Sequence, residues 1–104
     1  MRLGDLLPLF AEEIEGLLEA KGEKGLAAQI RDLRIVDRCR CPHDYCGSFY
    51  TQPKPRGPLG QGHRRVEVDP VTGIVIFDVV DGRILQINVL FRDKVRKILH
   101  AAIL

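Results

Sequence analysis

All three cysteines of this 104-residue chain fall within eight residues, Cys39-Arg40-Cys41-Pro42-His43-Asp44-Tyr45-Cys46. Zinc takes four soft or borderline ligands in a tetrahedron, most often thiolates and imidazoles. The C-x-C-x4-C run offers three thiolates, and His43 or His63 would complete the set. The spacing departs from the usual C-x2-C knuckle, and there is no second such pair. Two other readings stand beside zinc. Cys41 would face Cys46 across a four-residue loop and form a disulfide, a bond that cytosolic proteins of mesophiles rarely keep. Alternatively, the three remain reduced and pack as small apolar groups. A lowered thiol pKa next to Arg40 and His43 would make a nucleophile, but the sequence places no base or oxyanion donor beside it.

A second constellation is basic. Lys54, Arg56, His63, Arg64 and Arg65 lie near Phe49 and Tyr50. Cations interleaved with aromatics bind single-stranded nucleic acid through phosphate contact and stacking. The plainer reading is a solvated loop kept soluble by its arginines. Its prolines also form a P-x-P-x-x-P run, a weak polyproline signal. Among the acids, Asp69 and Asp81 have turn roles. Asp78 is unusual, midway along an apolar strand, and a hydrogen bond to a neighbouring strand or to Arg83 is expected of it.

The elements that must position these residues centre on 66–90, VEVDPVTGIVIFDVVDGRILQINVL. It reads as two β-hairpins in series, turning at Asp69–Gly73 and at Asp81-Gly82. An Asp-Gly pair favours a type I′ turn, in which both central residues take positive φ. The run 74–80 is apolar on both faces, as a strand covered on two sides should be. Val66, Val68, Val75, Phe77, Val79, Leu85, Ile87 and Val89 form one apolar face. Ile74, Ile76, Val80, Ile84 and Leu90 form the other.

Upstream, Leu6, Leu7, Phe10, Ile14, Leu17 and Leu18 recur at helical steps, predicting a helix over 4–21 with Asp5 as N-cap and Gly22 as its stop. A short second helix is expected over 23–30. Residues 33–41 and 47–51 read as strands joined at Pro42–Tyr45. Residues 52–63, with three prolines and three glycines, read as a flexible loop. Phe91, Val95, Ile98, Leu99, Ala102 and Ile103 predict a closing helix from about Arg92.

The length predicts a single domain, 1–104. Composition is that of a globular protein: 45% hydrophobic, 29% charged, net charge only +2, so no global field argues for nucleic acid. Abundant Arg, Leu and Val with one Ser and one Asn match a GC-rich or thermophilic bacterial proteome. No apolar run approaches the roughly 20 residues that span a bilayer. The N-terminus turns acidic where a secretory signal would stay apolar. A cytoplasmic protein is expected.

The run Gly73 to Leu90, two strands joined at D-G-R-I and followed by a helix, resembles the YuzE-like small bacterial proteins. With C-x-C and S-F-Y-T upstream, the whole is also similar to uncharacterised bacterial proteins of similar length. Neither resemblance implies an activity. The expected architecture is α+β: N-terminal helices, an antiparallel sheet of about five strands with the meander 64–90, and a C-terminal helix. The function expected is a non-enzymatic binding or regulatory module acting as a homo-oligomer, with a homodimer interface on Ile74, Ile76, Val80 and Ile84. The alternative is a structural-zinc protein that binds nucleic acid through Lys54, Arg56, Arg64 and Arg65. A monomeric sandwich, with a helix on each side of the sheet, competes with the dimer. No nucleophile–base–orienter set, phosphate-cradling loop or H-E-x-x-H supports an enzyme.

Overall fold

The computed structural model describes residues 1–104, and two turns set the register of its sheet. Asp81 and Gly82 both take positive φ, 50° and 80°, the type I′ geometry expected of Asp-Gly. They join β4 (Ile74–Val80) to β5 (Arg83–Leu90). Gly73, at φ 74°, closes the turn between β3 (His63–Val68) and β4. Val66 pairs with Phe77 and Phe77 with Ile87, which brings the large apolar side chains of three strands onto one face. On the far side of β5 lie β2 (Phe49–Tyr50) and then β1 (Asp37–Arg38). The result is a five-stranded antiparallel sheet in the order β1-β2-β5-β4-β3, in an α+β fold.

A β-bulge corrects one phase. Asp78 pairs with Gln86 but Val79 pairs with Ile84, so Leu85 is the extra residue. One added residue reverses the alternation beyond it. Ile84, expected on the second face as part of an interface, is therefore turned into the core at 1% exposure. Leu85 is buried too, but outside the main cluster.

The first helix is broken in two, α1 (Leu3–Leu6) and α2 (Pro8–Ala20). Proline disfavours helical backbone in the residue before it, and Leu7 sits at φ −129°, ψ 62°. Pro8 then opens α2 at its first position, where no N–H is needed. Asp5 is inside α1, and Arg2 takes the cap position. Gly22 at φ 83° stops α2 as expected. The second helix shrinks to α3 (Lys24–Ala27), followed by a 3-10 turn at Ile30–Asp32. The strand expected over 33–41 is reduced to β1, because the backbone of its first residues bonds elsewhere. Leu33 C=O accepts from Leu3 N–H, and Ile35 N–H donates to Met1 C=O. The closing helix, α4 (Asp93–Ala102), starts where expected.

All the helices pack on the same face. Leu3, Phe10, Ile14 and Leu18 of the N-terminal layer and Val95 and Leu99 of α4 join Phe49, Val75, Phe77, Val79 and Ile87 in one core. Each fully buried large side chain contributes about 1.5–3 kcal/mol. The Cβ position of Gly47, on the Phe49 face, lies 3.3 Å from the Arg96 backbone, so glycine lets α4 approach the sheet. Arg92 ties α4 to α2 through two bonds to Glu13, at 2.6 and 2.8 Å. A sandwich with helices on both sides is thereby excluded. The second face carries Ile74 (41% exposed), half-buried Ile76, Val80 and Leu90, and Asp78, and no helix covers it. No helix is long and apolar enough to cross a membrane.

Candidate metal centre

Period-two alternation at one edge of the sheet assembles the site. Asp37 pairs with Tyr50, and the ladder runs on as Cys39 N–H donates to Ser48 C=O at 2.9 Å. Residues 37, 39 and 41 alternate with Arg38, which turns to the helix side and bonds the Ile103 carbonyl at 2.8 Å. Cys39 and Cys41 thus share the uncovered face. Cys46 reaches the same face by bridging antiparallel to Leu90. The intervening Pro42–Tyr45 turn is closed by Cys46 N–H donating to His43 C=O at 3.4 Å.

The three Sγ atoms lie within 4.8 Å of one another. A tetrahedral ion with metal–sulfur bonds of about 2.3 Å separates its sulfurs by roughly 3.8 Å, so the cluster needs little adjustment to hold one. All three are free thiols, Cys46 buried and the other two half-buried. The Cys46 thiol donates to Ser48 Oγ at 3.3 Å, and that oxygen accepts from Val89 N–H at 2.9 Å. Ser48 was not among the residues expected at the site. The signal was present in its spacing, two residues from both Cys46 and Tyr50.

The thiols differ in acidity. A hydrogen bond from the His43 backbone lowers Cys41, against a smaller opposing effect of burial. Burial raises Cys39, against a smaller opposing hydrogen bond from the Cys41 backbone. Cys41 therefore gives up its proton before Cys39, and a bound cation would hold both as thiolates. The activating cation expected in Arg40 is instead occupied by Asp37, at 2.9 Å, and by the Leu104 carbonyl. Tyr50 lies between the cysteines and Asp78: burial raises its phenol, as do the charges of Cys39, Asp37 and Asp78.

Neither candidate histidine joins the sulfurs. The His43 ring stacks on Tyr45, centroids 5.0 Å apart, and Tyr45 stacks on Phe91 at 4.9 Å. This ladder fastens the Pro42–Tyr45 turn to the end of β5. Phe91 takes a φ of 62°, uncommon for an aromatic residue. His63 is on β3, with β4 and β5 between it and β2. Its Nε2 donates to Asp78 Oδ1 at 2.8 Å. Asn88 Nδ2 donates to the other carboxylate oxygen at 2.8 Å, and Arg65 Nε lies 3.3 Å from Oδ1. Asp78 thus has cross-strand partners, as expected, but Arg83 is not one of them.

The four cations proposed for nucleic acid do not form one surface. Arg64 and Arg65 alternate on β3, so Arg64 reaches Glu23 on the helix side with two bonds of 2.9 Å while Arg65 turns to Asp78. Lys54 and Arg56 are exposed in the irregular segment before β3. Clefts of about 430 and 380 Å³ are lined by Gln29, Thr51, Arg83 and Ile84, and by Leu6, Phe10, Val95 and Ile98, respectively. Neither cleft is lined by a cysteine. No family model, curated protein or solved structure matches this chain, and none of the three comparisons indicates an enzyme.

Proposed function

We propose that this chain is a small non-enzymatic metal-binding module of the bacterial cytoplasm, with zinc held by Cys39, Cys41 and Cys46. The observation that carries the reading is the convergence of three sulfurs within 4.8 Å from both arms of one hairpin. That hairpin needs a fastening, since β1 and β2 are two residues each and so short a ladder is marginal by itself. An ion shared by residues 39, 41 and 46 would cross-link its open end. Zinc suits thiolates and has no redox chemistry to oxidise them. Elemental analysis of protein purified without chelator is expected to show close to one zinc per chain. Metal-free folded protein with three freely titrating thiols would overturn the reading.

The uncovered sheet face supports a second element, a two-fold dimer of this chain. Ile74, Ile76, Val80 and Leu90 present apolar surface there, bordered by charges of both signs, Arg65 beside Asp78 and Glu67. An exposed apolar patch of this kind marks an interface, and two-fold pairing is the commonest solution. Light scattering at micromolar concentration is expected to give twice 11.7 kDa; a mass near 11.7 kDa would remove the dimer. The alternative of nucleic-acid binding through a basic loop retains only Lys54 and Arg56 as uncommitted cations.

A further inference from the structure

Resting on the zinc reading above, we infer that the ion takes its fourth ligand from outside the chain, and that this corner accepts a small thiol. The cluster of side chains able to ligate contains three sulfurs and no fourth histidine, cysteine or carboxylate. Asp44, in the turn, is exposed and lies outside the cluster, and the other side chains near in sequence or on the same face are engaged elsewhere. The His43 ring is stacked on Tyr45. Asp37 Oδ1 holds Arg40 at 2.9 Å. Ser48 Oγ bonds the Val89 backbone, and His63 is held by Asp78 on the far strands.

Structural zinc sites close with four protein ligands, whereas three ligands plus an open position mark a site where an exogenous donor exchanges. This site is also accessible. Cys39 and Cys41 are only half-buried, and the sheet face on which they sit carries no helix. Three thiolates form a soft donor set, so a fourth sulfur is the matching partner. Binding would proceed by ligand exchange: a water leaves the ion, the incoming thiol loses its proton to solvent, and a metal–sulfur bond forms. No oxidant or reductant is required.

The test uses the full chain loaded anaerobically with Co(II), whose sulfur-to-metal charge-transfer absorbance counts thiolates and whose d–d bands report the whole ligand set. Titration with 2-mercaptoethanol is expected to raise charge-transfer absorbance per cobalt by about one third, saturating at one thiol, as three sulfurs become four. His43→Ala and Asp44→Asn variants are expected to give the same starting spectrum and the same rise. Bands that do not respond to the thiol would overturn the inference. So would d–d bands that shift in either variant, because the turn would then supply the fourth ligand. Bleaching of the bands would count against it as well, since the thiol would be stripping the metal. A parent protein with no charge-transfer absorbance at all would instead reject the metal reading beneath it.

Discussion

Replacing Asp78 by two residues of different shape separates what its charge contributes from what its volume contributes. Its side chain is only 10% exposed, while those of His63 and Arg65 are 28% and 56% exposed. When the carboxylate is removed, both of these partly exposed partners recover water, so little of their interaction is lost. Asn88 Nδ2 loses its 2.8 Å bond but keeps the Ile76 carbonyl at 3.1 Å. Hydrogen bonds to charged groups are worth about 1.5–3 kcal/mol each, and this resolvation puts the polar loss near the bottom of that range. Asp78→Ala adds the loss of side-chain packing, for a total of about 2–3 kcal/mol. Asp78→Leu is nearly isosteric, and burying its apolar surface returns about 1.5–3 kcal/mol, leaving it within roughly 1 kcal/mol of the parent. Urea unfolding followed by far-ultraviolet circular dichroism should place the Ala midpoint about 1 M below the Leu midpoint, at unchanged slope. Measurement at several protein concentrations separates this from association through the new leucine. A Leu variant as unstable as the Ala variant would refute the reasoning, because the ionic network itself would then be holding the sheet.

The remaining predictions concern the turns, the acid limb and the open face. Gly73→Ala places a Cβ 2.5 Å from the Leu90 carbonyl at φ 74°, whereas Gly82→Ala at φ 80° meets nothing within 4 Å. Gly82→Ala should cost about 1–2 kcal/mol from the backbone alone and Gly73→Ala clearly more, read as two distinct falls in thermal midpoint; equal falls would refute the steric argument. Burial, and then the charges of Arg38, Arg96 and Arg40, lower the His100 pKa below its ordinary 6.5, and its Nε2 is buried with no partner. A lowered histidine makes the unfolded chain bind more protons, so stability is complete above about pH 6.5 and declines as pH falls below it. His100→Leu should flatten that part of the stability–pH curve, and an unchanged slope would count against the assignment. Ile76→Asp should give a folded monomer by light scattering; a folded dimer would place the interface elsewhere.

The local and periodic features of the fold were legible in the sequence. Asp81-Gly82 determined its turn because few residues other than glycine, asparagine and aspartate tolerate positive φ. The two-residue period of 66–79 marked out the apolar face that became the core, and Gly22 marked the end of α2. The cysteines' clustering within eight residues also indicated a site. Tertiary structure decided what depended on partners distant in the chain. The bulge at Leu85 moved Ile84 from the presumed interface into the core, since one extra residue reverses the alternation and nothing local marks where it falls. The short reach of β1 came from Met1 and Leu3 taking the backbone bonds of Ile35 and Leu33, 34 and 30 residues away. Placing both helical layers on one side of the sheet left the other open, and strand order put His63 too far from the sulfurs to ligate. Spacing alone could thus nominate a histidine for the cysteines, but only the path of the chain through β2, β5, β4 and β3 determined which side chains stand beside them.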